Sequence, residues 1–255
     1  MTPFSEAAML FVAAMIGGGL NAVAGGGSFF TFPALLLSGV APIEANATSA
    51  AALWPASVAG ARSYRGAMRH EPRLLLALAG ASVAGGLAGA LVLLGTPQDV
   101  FRELVPWLLL LATLVFAGAP LLLRRLRGHS RPRALSGPAL LGFSLVWFGV
   151  ATYGGYFGGG MGFLMLGTLA AMGMEDVHAM NGLKLVMGAA LNAVAIVAFV
   201  VAGRIVWLDA GLMAVGGVLG AVASARHAQR VDPAKVRAFV VAAGALLTVY
   251  FFVAR

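Results

Sequence analysis

The sequence predicts an all-α polytopic membrane protein made of two inverted repeats, with about eight spanning helices and two short half-helices. Three observations carry that prediction. The 255 residues are 60% hydrophobic and only 10% charged, with a mean hydropathy of +0.93, whereas a soluble domain uses about 25% charged residues to cover its surface. Eight apolar runs are long enough to cross a bilayer. Two triple glycines, Gly25-Gly26-Gly27 and Gly158-Gly159-Gly160, each close one such run and precede a run too short to cross.

A transmembrane helix takes roughly 20 mostly apolar residues. In chain order the runs lie near 5–24, 45–65, 73–95 and 103–123, then 135–156, 177–201, 208–225 and 235–254. The stretch Met1 to Glu6 lacks the basic region that opens a secretory signal peptide, so the first run is expected to belong to the mature fold. The short runs, 28–38 and 161–172, each follow a glycine triplet. Three glycines in succession break a helix, because each adds backbone entropy and no packing side chain. Each site therefore reads as a helix, a break at membrane depth and a half-helix. The halves divide as residues 1–128 and 129–255, within one integrated membrane domain.

Composition excludes several classes. With no cysteine there is no disulfide framework, thiol catalysis or Cys-ligated metal. The 17 Lys and Arg against 9 Asp and Glu give a net charge of +8, but the basic residues cluster between apolar runs, which is the mark of cytoplasmic loops and not of nucleic-acid binding. Arg62, Arg65, Arg69 and Arg73 form one cluster; Arg124, Arg125, Arg127, Arg131 and Arg133 a second; Arg226, Arg230, Lys235 and Arg237 a third. These hold 13 of the 17 cations. The connections near 95–102 and 202–207 carry one arginine each and are expected to face outward, with both chain ends. The run at 45 then enters from outside and the run at 177 from inside.

That opposition coincides with an internal repeat. Aligning the triplets brings Gly-Gly-Gly-Ser-Phe-Phe onto Gly-Gly-Gly-Met-Gly-Phe, Glu44-Ala45-Asn46 near His178-Ala179-Met180-Asn181, and Val83-Ala84-Gly85-Gly86 onto Val215-Gly216-Gly217. Two similar halves of opposite topology, each with an interrupted segment, are the pattern of a secondary transporter with inverted repeats. Shared Gly, Ala, Val and Leu content could produce the downstream match alone. It does not readily place two breaks at equivalent positions with reversed charge flanks.

At these residues the chain resembles the TauE/SafE family of sulfite and organosulfonate exporters. The matching elements are Ala24-Gly25-Gly26-Gly27-Ser28-Phe29-Phe30-Thr31-Phe32-Pro33, Gly39-Val40-Ala41-Pro42 and Ala45-Asn46-Ala47-Thr48-Ser49. In the second half they are Gly158-Gly159-Gly160-Met161-Gly162-Phe163 and Asn181-Gly182-Leu183-Lys184. The resemblance implies a permease for small sulfur-containing anions in the cell inner membrane, with no enzymatic activity. The second block has no proline after its glycines, so the two half-helices are not expected to be equivalent.

A broken helix leaves amide N–H groups unused, and the N-terminus of the next half-helix carries a partial positive charge. Glycine lets an oxyanion approach that backbone. The first candidates for anion binding are therefore Gly26, Gly27 and Ser28, with Gly159 and Gly160. Ser28 either adds a hydroxyl to the site or caps its helix. Lys184 is the one ionisable residue well inside an expected span, where charge usually marks a pathway; alternatively it snorkels to the surface two turns away. Asn46, Thr48, Ser49 and Asn181 lie on the two helices that follow the half-helices. Each is expected to face either the site or a neighbouring helix. Asn192 reads as interhelical glue and Asn21 as a cap for freed carbonyls. His178, at a helix start, is either interfacial or a proton relay. Trp54, Trp107, Trp147 and Trp207 read as interface anchors or packing.

No cofactor or metal site is expected. A proton or sodium ion is the candidate coupling ion, and the oligomeric state is open. The glycine triplets follow no strand and lack the Gly-Lys-Ser/Thr of a phosphate-binding loop. Ser28 and His178 lack the setting of an intramembrane serine protease. The alternative to a carrier is an anion channel lined by re-entrant half-helices.

Overall fold

The computed structural model describes residues 3–23, 25–64, 72–127, 137–227 and 233–253. Ala24, Arg65, Arg69, Arg131, Arg133 and Arg230 lie outside the described residues, as do the side chains of Arg124, Arg125, Arg127, Arg226, Lys235 and Arg237. Most of the basic residues used to orient the chain thus fall outside the description.

Ten α-helices account for the described chain, with no strand among the described residues. In order they are α1 (Pro3–Val23), α2 (Ser28–Leu37), α3 (Pro42–Ser63), α4 (Pro72–Gly95) and α5 (Gln98–Arg127), then α6 (Gly137–Tyr156), α7 (Met161–Ala171), α8 (Val177–Val201), α9 (Trp207–His227) and α10 (Pro233–Val253). The sequence of one long, one short and three long helices occurs twice. Both glycine triplets fall outside helix, and both short runs form helices, of 10 and 11 residues.

Among the described residues, six helices are long and apolar enough to cross a membrane: α1, α4, α5, α6, α8 and α9. The chain is a multi-pass membrane protein. Helix α3 falls below the apolar threshold because its first two turns carry Glu44, Asn46, Thr48 and Ser49. It keeps helix geometry by opening on Pro42, whose missing N–H costs nothing in the first turn. Of α10, the stretch 238–253 is apolar but short.

Packing pairs the helices reciprocally. The most extensive contacts are α1 with α9 and α4 with α6, followed by α3 with α9 and α4 with α8. Helices α3 and α8 pack on one another, as do α5 and α10. Close approach needs small residues, since lipid supplies no hydrophobic drive between helices. A Cβ on Gly18 would run into the backbone of Gly217, and one on Gly85 would lie 2.6 Å from both the Ala151 Cβ and the Phe148 carbonyl. Trp147 proves to be packing and not an interface anchor: it is fully buried, and its Nε1 donates to Ser82 Oγ at 2.8 Å.

At the breaks the chain reverses. Gly25 has φ +82°, and Gly158 and Gly160 have φ +80° and +75°, left-handed values that only glycine adopts without strain. Helix α2 turns back along α1, so that Gly27 sits against Gly17, and α7 turns back so that Met161 covers Gly154.

Candidate functional site

The two breaks meet. A Cβ built on Gly25 would lie 2.8 Å from the Cα of Gly162, and one on Gly162 would lie 2.7 Å from the Cα of Gly25. Backbone touches backbone here because neither residue has a side chain. The contact point is the first turn of α7, just past the second triplet.

Beside this contact lies a cavity of about 40 Å³, room for about three water molecules. Four segments line it. The first break contributes Asn21, Gly25, Gly27 and Ser28; α3 contributes Asn46, Ser49, Ala50 and Leu53. The end of α6 and the second break contribute Gly154, Gly155, Phe157, Gly158 and Met161, and α8 contributes Asn192, Ala195 and Phe199. The wall holds five polar side chains, all uncharged. Several are oriented by neighbours: Asn46 Nδ2 donates to the Tyr156 carbonyl at 3.1 Å, Asn21 Nδ2 to Ser57 Oγ at 2.9 Å, and Ser49 shares a 2.6 Å hydroxyl bond with Thr31.

The start of α2 adjoins the cavity at Gly27 and Ser28. Phe29, Phe30 and Thr31 donate back to Gly26 and Gly27 carbonyls, while the amides of Gly26, Gly27 and Ser28 donate to no described residue. The helix dipole adds partial positive charge at the same end.

Of the residues expected at the site, Gly27, Ser28, Asn46 and Ser49 stand in the cavity wall. The others stand elsewhere. The space where Gly26 would carry a side chain is filled by the Phe116 ring, that of Gly159 by the Phe157 ring at 2.6 Å, and that of Gly160 by Ala112 at 3.4 Å. These glycines admit α5 and an aromatic ring, so a bulky substitution at Gly159 tests packing more than ligand access. Thr48 Oγ1 accepts from the Val206 amide at 3.0 Å and ties α3 to the α8–α9 connection. Asn181 and Lys184 lie behind Gly25. Lys184 does not snorkel: it is 3% exposed, and its Nζ donates to Asn181 Oδ1 at 3.0 Å and to the Asn21 carbonyl in the last turn of α1 at 3.4 Å.

Asn21 and Asn192 are wall residues that sequence reasoning assigned to capping and glue; a lone amide in an apolar helix carries no signal of which side it faces. The interaction of Glu44 with Arg204 was also not foreseen. Arg204 Nη1 donates to Glu44 Oε1 at 2.6 Å, and Gln98 donates to the other carboxylate oxygen. The first turns of α3 and α5 and the α8–α9 connection are thereby joined. His178 is exposed, its ring 6.1 Å from that of Tyr64.

Comparison with known proteins adds family and class. The family described as Sulfite exporter TauE/SafE matches residues 10–251. The chain is 33% identical over 228 residues to the probable membrane transporter protein ORF9 of Sinorhizobium sp, covering 88% of this chain and 84% of that protein. It is 28% identical to the probable membrane transporter protein YfcA of Escherichia coli strain K12, covering 94% and 87%. A probable membrane transporter protein of Haemophilus influenzae is 26% identical over 94% of this chain and 92% of its own length. No solved structure matches the chain.

Proposed function

Since the chain belongs to the Sulfite exporter TauE/SafE family, we propose that it is a secondary transporter that exports small anions such as sulfite, sulfonates or organic sulfur compounds across the cell inner membrane. The observation that carries this reading is the small polar cavity where the two breaks meet, with the amide-bearing end of α2 in its wall. Neutral donors around a helix N-terminus bind an oxyanion without the cost of burying a fixed opposite charge. Ser28, Asn46, Ser49 and Asn192 supply side-chain donors, and the Gly27 and Ser28 amides supply backbone ones.

The mechanism is alternating access between two inverted repeats. Reciprocal packing supports it: α1 with α9 answers α6 with α4, and α3 with α9 answers α8 with α4, as a two-fold exchange of the halves requires. In this arrangement α3 and α10 complete a set of eight spans. Rocking one half against the other would part the breaks. A space for about three waters supports a carrier over a channel, because a pore needs a continuous wet path. A proton or sodium ion is the coupling ion of this scheme.

The test is thermal stability of the purified protein in detergent with sulfite, methanesulfonate, sodium or neutral solutes. A ligand that binds only the folded state raises Tm with its concentration, by a free energy of about 2.7 kcal/mol at a hundred times its Kd. The sulfur oxyanions should raise Tm by several degrees and the sodium and neutral controls should not. A rise with no anion, or with every salt alike, removes the proposal.

A further inference from the structure

Gly25 adjoins both the cavity and Lys184, and neither Lys184 nor Asn181 is among the residues that line the cavity. Gly25 lines the cavity, and a Cβ built on it would be 3.5 Å from Lys184 Nζ. The backbone of Gly25, held against Gly162, is thus next to both. In the cavity wall every polar group is neutral. Outside it stands a buried ammonium whose described hydrogen-bond partners, Asn181 Oδ1 and the Asn21 carbonyl, are both neutral. No carboxylate among the described residues pairs with it. Asn181 is only 7% exposed, and its Nδ2 donates to no described residue. A buried ammonium and a buried amide donor side by side, without an acidic partner, form an arrangement that a negative charge would complete.

Resting on the anion-transport reading above, we propose that a transported oxyanion has a second binding position, at Lys184 and Asn181, beside the Gly25–Gly162 contact and outside the cavity. The anion passes from one position to the other when the two breaks separate. The lysine therefore acts in the passage of the anion and not in its binding within the cavity. Its hydrogen bond to the Asn21 carbonyl also caps the end of α1, which couples the charge on this side to the position of the first break. The contact is made of glycine on both faces because two side chains there would hold the breaks apart.

The experiment measures two quantities on the full chain: sulfite efflux from proteoliposomes, and the sulfite-induced rise in Tm in detergent. Lys184→Met should lower efflux at least tenfold while keeping the Tm rise, because the cavity keeps its donors. Lys184→Arg, which keeps the charge and guards against a variant that merely misfolds, should restore most of the efflux. Ser28→Ala with Asn46→Ala should lose the Tm rise. Loss of the Tm rise in Lys184→Met would place the lysine in one undivided site and overturn the proposal, as would efflux unchanged from wild type. A wild-type protein with neither efflux nor a Tm response to any sulfur oxyanion would instead overturn the transport reading itself.

Discussion

The two breaks share a plan and differ in chemistry. After the first triplet comes Ser28, after the second Met161. On the helix that follows, Asn46 is succeeded three residues on by Ser49, whereas Asn181 is succeeded three residues on by Lys184. The first half thus brings Ser28 to the cavity wall, while in the second half Met161 lies over Gly154 and reaches toward Gly188. Two half-helices with the same dipole do not make two equal anion sites. What surrounds the N-terminus decides whether its amides meet a polar space or a thioether. The two halves repeat one order of helices and differ in the side chains that surround their breaks.

The sharpest way to break this comparison is at the shared contact. Gly162→Ala adds a Cβ 2.7 Å from the Gly25 Cα, backbone against backbone, where nothing flexible can give way. Overpacking of that kind costs about 1–3 kcal/mol. Gly188→Ala on α8 is the control, since its nearest neighbour would be the tip of Met161 at 3.8 Å. There the helix should gain about 0.5–1 kcal/mol from the lower entropy of alanine. Thermal unfolding should therefore place Gly162→Ala below wild type and Gly188→Ala at or above it. Equal behaviour of the two would show that the breaks do not touch.

A smaller effect separates the two half-helix starts. Ser28→Ala removes one hydroxyl from the cavity wall and should weaken sulfite binding by about five- to tenfold, the worth of one hydrogen bond of about 1–1.5 kcal/mol. Met161→Ala should leave the affinity within about twofold. Its effect should be on stability, because it empties packed space. Titrations followed by Tm or by calorimetry distinguish these outcomes. A loss of affinity in Met161→Ala equal to that in Ser28→Ala would make the two ends equivalent after all.

Much of the fold was legible because the bilayer imposes length and polarity on each segment. Both breaks and the start of α7 at Met161 follow from glycine runs beside apolar stretches. The run at 45–65 forms α3, although its first two turns are polar. The site was legible only in part. Ser28, Asn46 and Ser49 reach the cavity, but Gly26 and Gly159 are small because Phe116 and Phe157 pack on them, and Gly160 because its φ is +75°. Phe116 comes from α5, distant in sequence from both triplets. A glycine announces that something approaches closely; it does not say whether a ligand or a neighbouring ring does so.

The smallest expected effect concerns the end of the bundle where the halves are tied. Arg204 of the second half meets Glu44 of the first at 2.6 Å, with side chains 42% and 21% exposed. Gln98 Nε2 donates to the same carboxylate, and Gln98 Oε1 in turn accepts from the Ile43 amide. Exposed ion pairs contribute about 0–1 kcal/mol, so Arg204→Gln should move Tm by little. If the halves rock, however, even a small bias between two conformations changes their populations, since a shift of about 1.4 kcal/mol is tenfold. Arg204→Gln and Glu44→Gln should thus alter the apparent affinity for sulfite by up to about fivefold at nearly constant Tm. The double variant should match either single one, because each removes the same contact. Additive changes in the double variant would mean that the two residues act separately, and that this end of the molecule does not hold the halves together through them.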